Sequence, residues 1–568
     1  MRPSRRRFWA PGPRHAIERA LFRSPLYRLT LKGHVPDQLA TVPTDPWVGD
    51  TARGVRLLDG IWTFAGQTFV GVDAAPWYPV DASPAWLEAM HGFAWLRDSR
   101  EVGQAARVRA RAGVANWIAR CAAWHPVAWR ADVVARRVVA WLANANFLLN
   151  GADVPFRRRF LGSLAEQTRH LTRIARGAPE GLPRLAALES LALAELCLPG
   201  ALPRLPATLR LIDAELRRQI LPDGGHVSRN PSALLAALRD TAGLRAALLA
   251  SGQAVPEGVK AAIDRMAPML RLFRHGDGGL ALFNGGGEEE PSVIDATLAL
   301  AQAPAKPSSH AAASGFVRLA ARRSVVLVDA GAPAPGVHGA GAHAGIGSFE
   351  FSVGADRVVV NCGAYQGPDR AWATALRATA AHSSVTVDDT NACELLDDGM
   401  GRAPVEVAAE RIEDGDASGV EVRHDGYRAR FKLDHVRRLA LAEDGQRLAG
   451  EDRLIGPGGE RYAVRFHLHP AVSAALLEDG SAVLVRLPAG GGWRFAADAG
   501  VLSVAESVYL GGGGAVRRTR QMVVVGGLNG SETVIRWELA AVPTRSERRG
   551  RAVTSDAAPG REGRAGAG

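Results

Sequence analysis

The stretch AQAPAKPSSHAAASGFVRLAARRSVVLVDAG, residues 301–331, is where the chain changes its rhythm. Its first part holds Pro304 and Pro307 among Ala and Ser and reads as a linker over 301–311. From Phe316 onward, apolar residues recur at every second position, the period of a half-buried strand. A chain that switches period once, at one linker, predicts two halves of different class.

Upstream, the period is helical. VANWIARCAAWHPVAWRADVVARRVVAWLANANFLL (114–149) spaces Trp117, Trp124, Trp141 and aliphatic residues by three, four and seven. FRRRFLGSLAEQTRHLTRIAR, LPRLAALESLALAELCLP, ATLRLIDAELRRQIL and SALLAALRDTAGLRAALLAS follow, each ended by Gly, Pro or a polar cluster. With nothing strand-like between them, such helices must bury their apolar faces on each other, as a bundle, a solenoid or a toroid. Tryptophans at this spacing are expected in the core.

Downstream, SFEFSVGADRVVVNCG, SSVTVDD, YAVRFHLHP, AVLVRLP, GWRFAAD and RQMVVVGGL read as strands. Turns are expected at Gly354-Ala355-Asp356 and Glu443-Asp444-Gly445. Strands joined by short turns predict a sandwich or barrel. The predicted organisation is a basic lead-in over 1–90, helices over 91–300, the linker, an antiparallel β-sandwich over 312–541 and a disordered polar tail over 542–568.

The chain has 568 residues and a formal charge of +11. That charge is spread along the sequence instead of forming a stripe with interleaved aromatics, which argues against a nucleic-acid surface and leaves an acidic polysaccharide compatible. No apolar run approaches the ~20 residues of a membrane helix. The N-terminus lacks an apolar segment and a cleavage site, so no signal peptide is expected. Cys121, Cys197, Cys362 and Cys393 are far apart in sequence and are expected to be free thiols. Walker, nucleophile-elbow and H-E-x-x-H motifs are absent from the sequence.

Three segments narrow the choice of fold. PDGGHVSRNP (222–231) resembles the cleft-lining helical segment of heparinase II/III proteins. HAGIGSFEFSVGADRVVVNCGAY (343–365) and AHSSVTVDDTNACEL (381–395) are similar to the opening of that family's C-terminal domain, and VRFHLHP (464–470) fits it too. The resemblance covers roughly residues 90–540. It implies an incomplete (α/α) toroid followed by an antiparallel β-sandwich, β-elimination on uronic-acid polysaccharides, and a place in the cell envelope or periplasm. Without an export signal, the cytoplasm is the alternative location. The oligomeric state is open.

β-Elimination beside a uronate needs a group that neutralises the carboxylate, a base for the adjacent proton and an acid for the leaving oxygen. His226 is the expected base, with Arg229 and Asn230 on the carboxylate. Tyr365, His343 or His382 are candidate acids. His275 and Asn284, in the Gly-rich loop RHGDGGLALFNGG (274–286), are further candidate substrate contacts. An alternative reading makes Gly224-Gly225 a plain turn and Asn230 a helix cap before Pro231. The run Glu288-Glu289-Glu290 is expected at a solvated edge. His467 and His469 share one strand face and are expected to pack, with a chance of facing the domain interface.

The resemblance also implies a structural zinc site at His343, Asn361 and His382. Asn is a poor zinc ligand, so no cofactor is expected. Two departures bear on the chemistry. Gly341 stands where relatives place a catalytic His, and no tyrosine lies between Tyr78 and Tyr365. The competing reading is therefore a glycan-binding protein that keeps the scaffold without the elimination. A glycosidase would need two opposed carboxylates, for which Asp223 and Asp277 are the pair to examine.

Overall fold

The structure is a computed structural model and describes residues 20–542 apart from 72–74, 305, 366, 368, 398, 513 and 514. The tail expected to be disordered lies outside the described residues, as does the basic segment 1–19. Helices occupy the first half, from Pro25–Leu31 to Pro291–Ala301, with one small hairpin, Ile61–Phe64 and Gln67–Val70. Each helix starts and stops for local reasons. In Val154–Ile174, Pro155 fits the first turn and Asp153 accepts from the Phe156 N–H at 2.6 Å. The stretch 114–149 is not one helix. Gln104–Arg120 ends before Cys121, the segment around Pro126 turns, and Ala131–Ala143 resumes.

The helices pack in neighbouring pairs, Leu182–Cys197 against Ala131–Ala143 and Pro231–Ala250 among them. Trp117 and Trp141 are fully buried and meet edge to face, with ring centroids 5.7 Å apart. The buried Arg137 guanidinium lies 4.2 Å from the Trp117 ring and donates to the carbonyls of His91 and Ala128, both at 2.9 Å. Trp129 is buried too, and Trp124 is partly buried against the same core.

The second half is two facing antiparallel sheets. One runs Val501–Tyr509, Arg517–Gly527, Arg461–Leu468, Asp356–Val360, Phe349–Val353, Ser324–Asp329, Phe316–Ala321, His310–Ala311, with Val385–Val387 also paired to Arg461–Leu468. The other runs Val407–Asp414, Ala417–Tyr427, Leu433–Ala442, Arg447–Ile455, Glu532–Val542, Gly492–Ala497, Val483–Arg486, Ser473–Leu476. Arg447–Ile455 alternates buried and less buried residues along its length, the pattern of a strand with one face inward. Phe349, Phe466, Phe495 and Trp537 fill the space between the sheets, Phe349 stacking on Trp537 at 5.5 Å. Buried Asp452 is bonded by Arg437, His435 and the Trp537 indole, so a charge in the core has a full set of partners.

The two halves are cemented together. Phe273 of the helical half packs edge to face on Phe316, 4.7 Å between centroids. Arg318 donates to the carbonyls of Leu272 and Arg274, and Arg357 to Asp277 and the Leu280 carbonyl. The four cysteines are buried free thiols. Among the described residues, no helix is long and apolar enough to cross a membrane.

Candidate functional site

The helix Leu205–Gln219 ends at Ile220, and the chain reverses through 221–225 so that Ile220 and His226 form an isolated antiparallel bridge. Gly224 has φ +90°, and a Cβ there would stand 2.0 Å from the Arg265 carbonyl oxygen, so only glycine fits. A Cβ on Gly225 would meet Ser314 at 2.5 Å, which shows how closely this turn lies on the start of the sheet domain. Asp223 fastens it by accepting from Ser314 N and Oγ at 2.7 and 3.0 Å.

His226 is buried and enclosed by its own neighbours. Its Nδ1 accepts from the Ser228 N–H at 3.1 Å and from Ser228 Oγ at 2.7 Å, which puts the ring proton on Nε2, 3.3 Å from Gln219 Oε1. Burial, with a smaller contribution from His338, pushes its pKa down to about 4. The ring is neutral near pH 7, but the lone pair that a base would use already has two donors. His338 comes from the sheet domain and lies beside Gly181, whose carbonyl accepts from Gln219. No motif around it singles it out.

Arg229, itself at φ +58°, does not stand free for a carboxylate. Its guanidinium is ion-paired with Asp329 and donates to the carbonyls of Ser314 at 2.7 Å and Gly315 at 3.1 Å, over the Phe316 ring. Asn230 caps Pro231–Ala250, its Oδ1 accepting from Ser232 N and Ala233 N at 2.8 and 3.1 Å. Asn284 donates to Asp329 at 3.1 Å and its Oδ1 accepts from the His343 N–H at 3.3 Å. His275 is sealed in the interface, its two ring nitrogens 2.9 Å from Ser352 Oγ and from Glu350 Oε2. Of the expected substrate contacts, Arg229, Asn284 and His275 thus hold the domains together.

His343 and His382 form a buried pair. His382 Nδ1 lies 2.8 Å from the Ala378 carbonyl and must carry a proton, so its Nε2 accepts from His343 Nδ1 at 3.0 Å. His343 Nε2 is left unprotonated, with no hydrogen bond among the described residues. It points toward Gly285, where a Cβ would lie 3.8 Å from it and 3.5 Å from Asn230 Nδ2. Both rings are held below their ordinary pKa, first by burial. Arg377 braces this loop by donating to the Ala342 carbonyl at 2.9 Å.

The zinc set does not fit. Asn361 Oδ1 accepts from the Ser383 N–H at 3.0 Å, its buried Nδ2 has no partner among the described residues, and His382 Nε2 is taken by His343 Nδ1. Among the described residues, no three His, Cys, Asp or Glu side chains converge as metal ligands. Tyr365 lies apart, its ring 6.2 Å from Trp372 and packed against Cys362, Leu376 and Leu510, without a hydrogen bond to His226, His343 or His382. Asp223 and Asp277, the candidate glycosidase pair, bind Ser314 and Arg357.

The acidic run is not wholly solvated. Glu288 is half-buried and accepts from Tyr509 Oη, with His469 3.7 Å away, so that strand histidine does face the domain interface. His467 packs inside, between Ser507 Oγ at 2.7 Å and the Ala380 carbonyl at 3.0 Å.

Residues 303–538 match the family model "Heparinase II/III-like, C-terminal". The chain is 32% identical over 544 residues to FtsZ-localized protein C of Caulobacter vibrioides, covering 92% of this chain and 94% of that one. Among solved structures, heparinase III superposes with a TM-score of 0.66 at 13% identity, covering 93% and 89% of the two chains. The heparan sulfate lyase HepC of Pedobacter heparinus superposes with a TM-score of 0.57 at 16% identity, covering 93% and 88%. The toroid and sandwich, the order of the matched segments and these likenesses lead to one assignment: the chain belongs to the heparinase II/III family.

Proposed function

We propose that this protein uses a polysaccharide-lyase scaffold to bind and not to cleave, and that it works beside FtsZ, as the name of its Caulobacter relative records for that protein. One observation carries the reading. The only guanidinium in the expected trio, that of Arg229, is neutralised by Asp329 inside the domain interface. With that guanidinium engaged, the cation expected to neutralise a uronate carboxylate is not available to make the neighbouring proton more acidic. The two departures in sequence act in the same direction: Gly341 brings no imidazole, and no tyrosine lies between Tyr78 and Tyr365.

This reading puts the protein with FtsZ and not in the periplasm that the lyase resemblance implied. A fluorescent fusion is expected to coincide with FtsZ. The purified chain is expected to release no ultraviolet-absorbing unsaturated uronate from heparan, chondroitin, alginate or hyaluronan. Turnover of any of these polymers, lost on His343→Ala, would overturn the proposal.

That outcome would establish the second reading, β-elimination on an acidic polysaccharide. It is favoured by the unprotonated His343 Nε2 and the Asn230 amide beside Gly285. In it His343 takes the proton and Asn230 Nδ2 meets the carboxylate.

A further inference from the structure

The helices Ala131–Ala143, Leu182–Cys197 and Pro231–Ala250 enclose, with segment 43–47, a cavity of about 210 Å³ in the helical half. None of the residues of the His226 or His343 arrangements lines it. Its lining is mixed: Val139, Ala140, Ala143 and Ala186 offer methyl groups, while Asn144, Glu189 and Ser190 are polar and buried.

Among the described residues, two of these polar side chains are incompletely satisfied. Glu189 Oε1 accepts from Thr241 Oγ1 at 2.7 Å, and its buried Oε2 has no partner. Asn144 Nδ2 donates to the Ala140 carbonyl at 2.9 Å, and its buried Oδ1 has none. Buried polar atoms without partners are rare and destabilising, and two beside one cavity point to a ligand that supplies what is missing. Burial, and then Asp240, push the Glu189 carboxyl well above the ordinary range.

Gly243 adds an independent observation. It lies inside Pro231–Ala250 and lines the same cavity, yet nothing stands within 4 Å of the position its Cβ would take. Glycine inside a helix is unfavourable, and no neighbour here requires it. Its effect is to keep the cavity open.

The charges select against an anion. Arg97 is paired with Asp45 at 2.9 Å, Arg239 with Asp240 at 2.9 Å, and Arg136 with Asp132 at 3.4 Å. Every lining cation already has its carboxylate. We infer that this cavity is a second binding site, separate from the interdomain residues, for a neutral ligand of single-ring size that presents hydrogen-bond donors beside a methyl group, as an N-acetylated sugar does. The amide N–H would serve Asn144 Oδ1, a ring hydroxyl would serve Glu189 Oε2, and the methyl would lie on the alanine wall.

The test is calorimetric titration of the full chain with N-acetyl-D-glucosamine, D-glucose and D-glucuronate. Saturable binding of N-acetyl-D-glucosamine at least tenfold tighter than of glucuronate is expected. Gly243→Leu should abolish it by filling the cavity, and Asn144→Ser should weaken it at least tenfold. Should Gly243→Leu fail to fold, Gly243→Ala serves in its place, with a higher Tm and weaker binding expected. Absence of N-acetyl-D-glucosamine binding, equal binding of glucuronate, or binding that the folded Gly243 and Asn144 variants leave unchanged overturns the inference.

Discussion

His343 Nδ1 stands 3.0 Å from His382 Nε2, and the Ala378 carbonyl on the far side of His382 fixes the direction of both protons. Each ring is therefore the Nδ1–H tautomer, and the pair ends in an unprotonated His343 Nε2. Nitrogen-15 spectra of the imidazoles should show two Nδ1–H rings at pH 7. His382→Ala should remove the acceptor and let His343 populate both tautomers. Finding His343 already in the Nε2–H form in the unmodified protein would refute this proton order.

Burial also makes the fold acid-sensitive. His91, His170, His226, His343, His382 and His467 are all held below the ordinary imidazole pKa, His91 and His467 at about 3 and His170 and His226 at about 4. In the unfolded chain they titrate near ~6.5. Between that value and their folded values the unfolded state binds more protons, so stability is complete above pH ~6.5 and falls as pH drops. Each such histidine contributes a slope of up to about 1.4 kcal/mol per pH unit. Urea midpoints should fall clearly from pH 7 to pH 5, and a flat profile over that window would contradict the burial argument.

Gly224 has no tolerance for a side chain. Its φ of +90° and the Arg265 carbonyl 2.0 Å from the would-be Cβ act together. Backbone strain of this kind costs on the order of 1–3 kcal/mol, before the clash is counted. Gly224→Ala should lower the Tm and loosen the turn that carries His226, read as faster amide exchange at Gly225 and His226.

The architecture was legible because it rests on period. Helical spacing before residue 301 and alternation after Phe316 correspond to the observed helices and sheets, and the turn at Glu443-Asp444-Gly445 joins the two strands expected on either side. The break at Pro126 was passed over because the tryptophans on both sides keep one spacing while belonging to different helices. The site was less legible. PDGGHVSRNP supplies residue types suited to a uronate, but the partners that engage them, Asp329 for Arg229 and Ser228 and Gln219 for His226, are set by tertiary approach. Asn230 was readable as a helix cap from Pro231 alone. The role of Glu288 was not, since its partners Tyr509 and His469 are about two hundred positions away in sequence.

The pair Arg229 and Asp329 decides between structure and chemistry. It joins the helical half to the sheet half with both side chains buried, and Asp329 also accepts from Asn284 at 3.1 Å. Removing one partner leaves the other charge in a site water barely reaches, a loss of about 3–5 kcal/mol for a buried pair. Arg229→Ala and Asp329→Ala should each lower stability by that order in urea denaturation. Arg229→Met with Asp329→Leu together should lose less than the sum of the two single changes, because no uncompensated charge remains. A catalytic Arg229 predicts the reverse: a protein of nearly unchanged stability that has lost turnover of a polymer. Single substitutions that leave the denaturation midpoint in place would therefore argue that the guanidinium is free to meet a substrate.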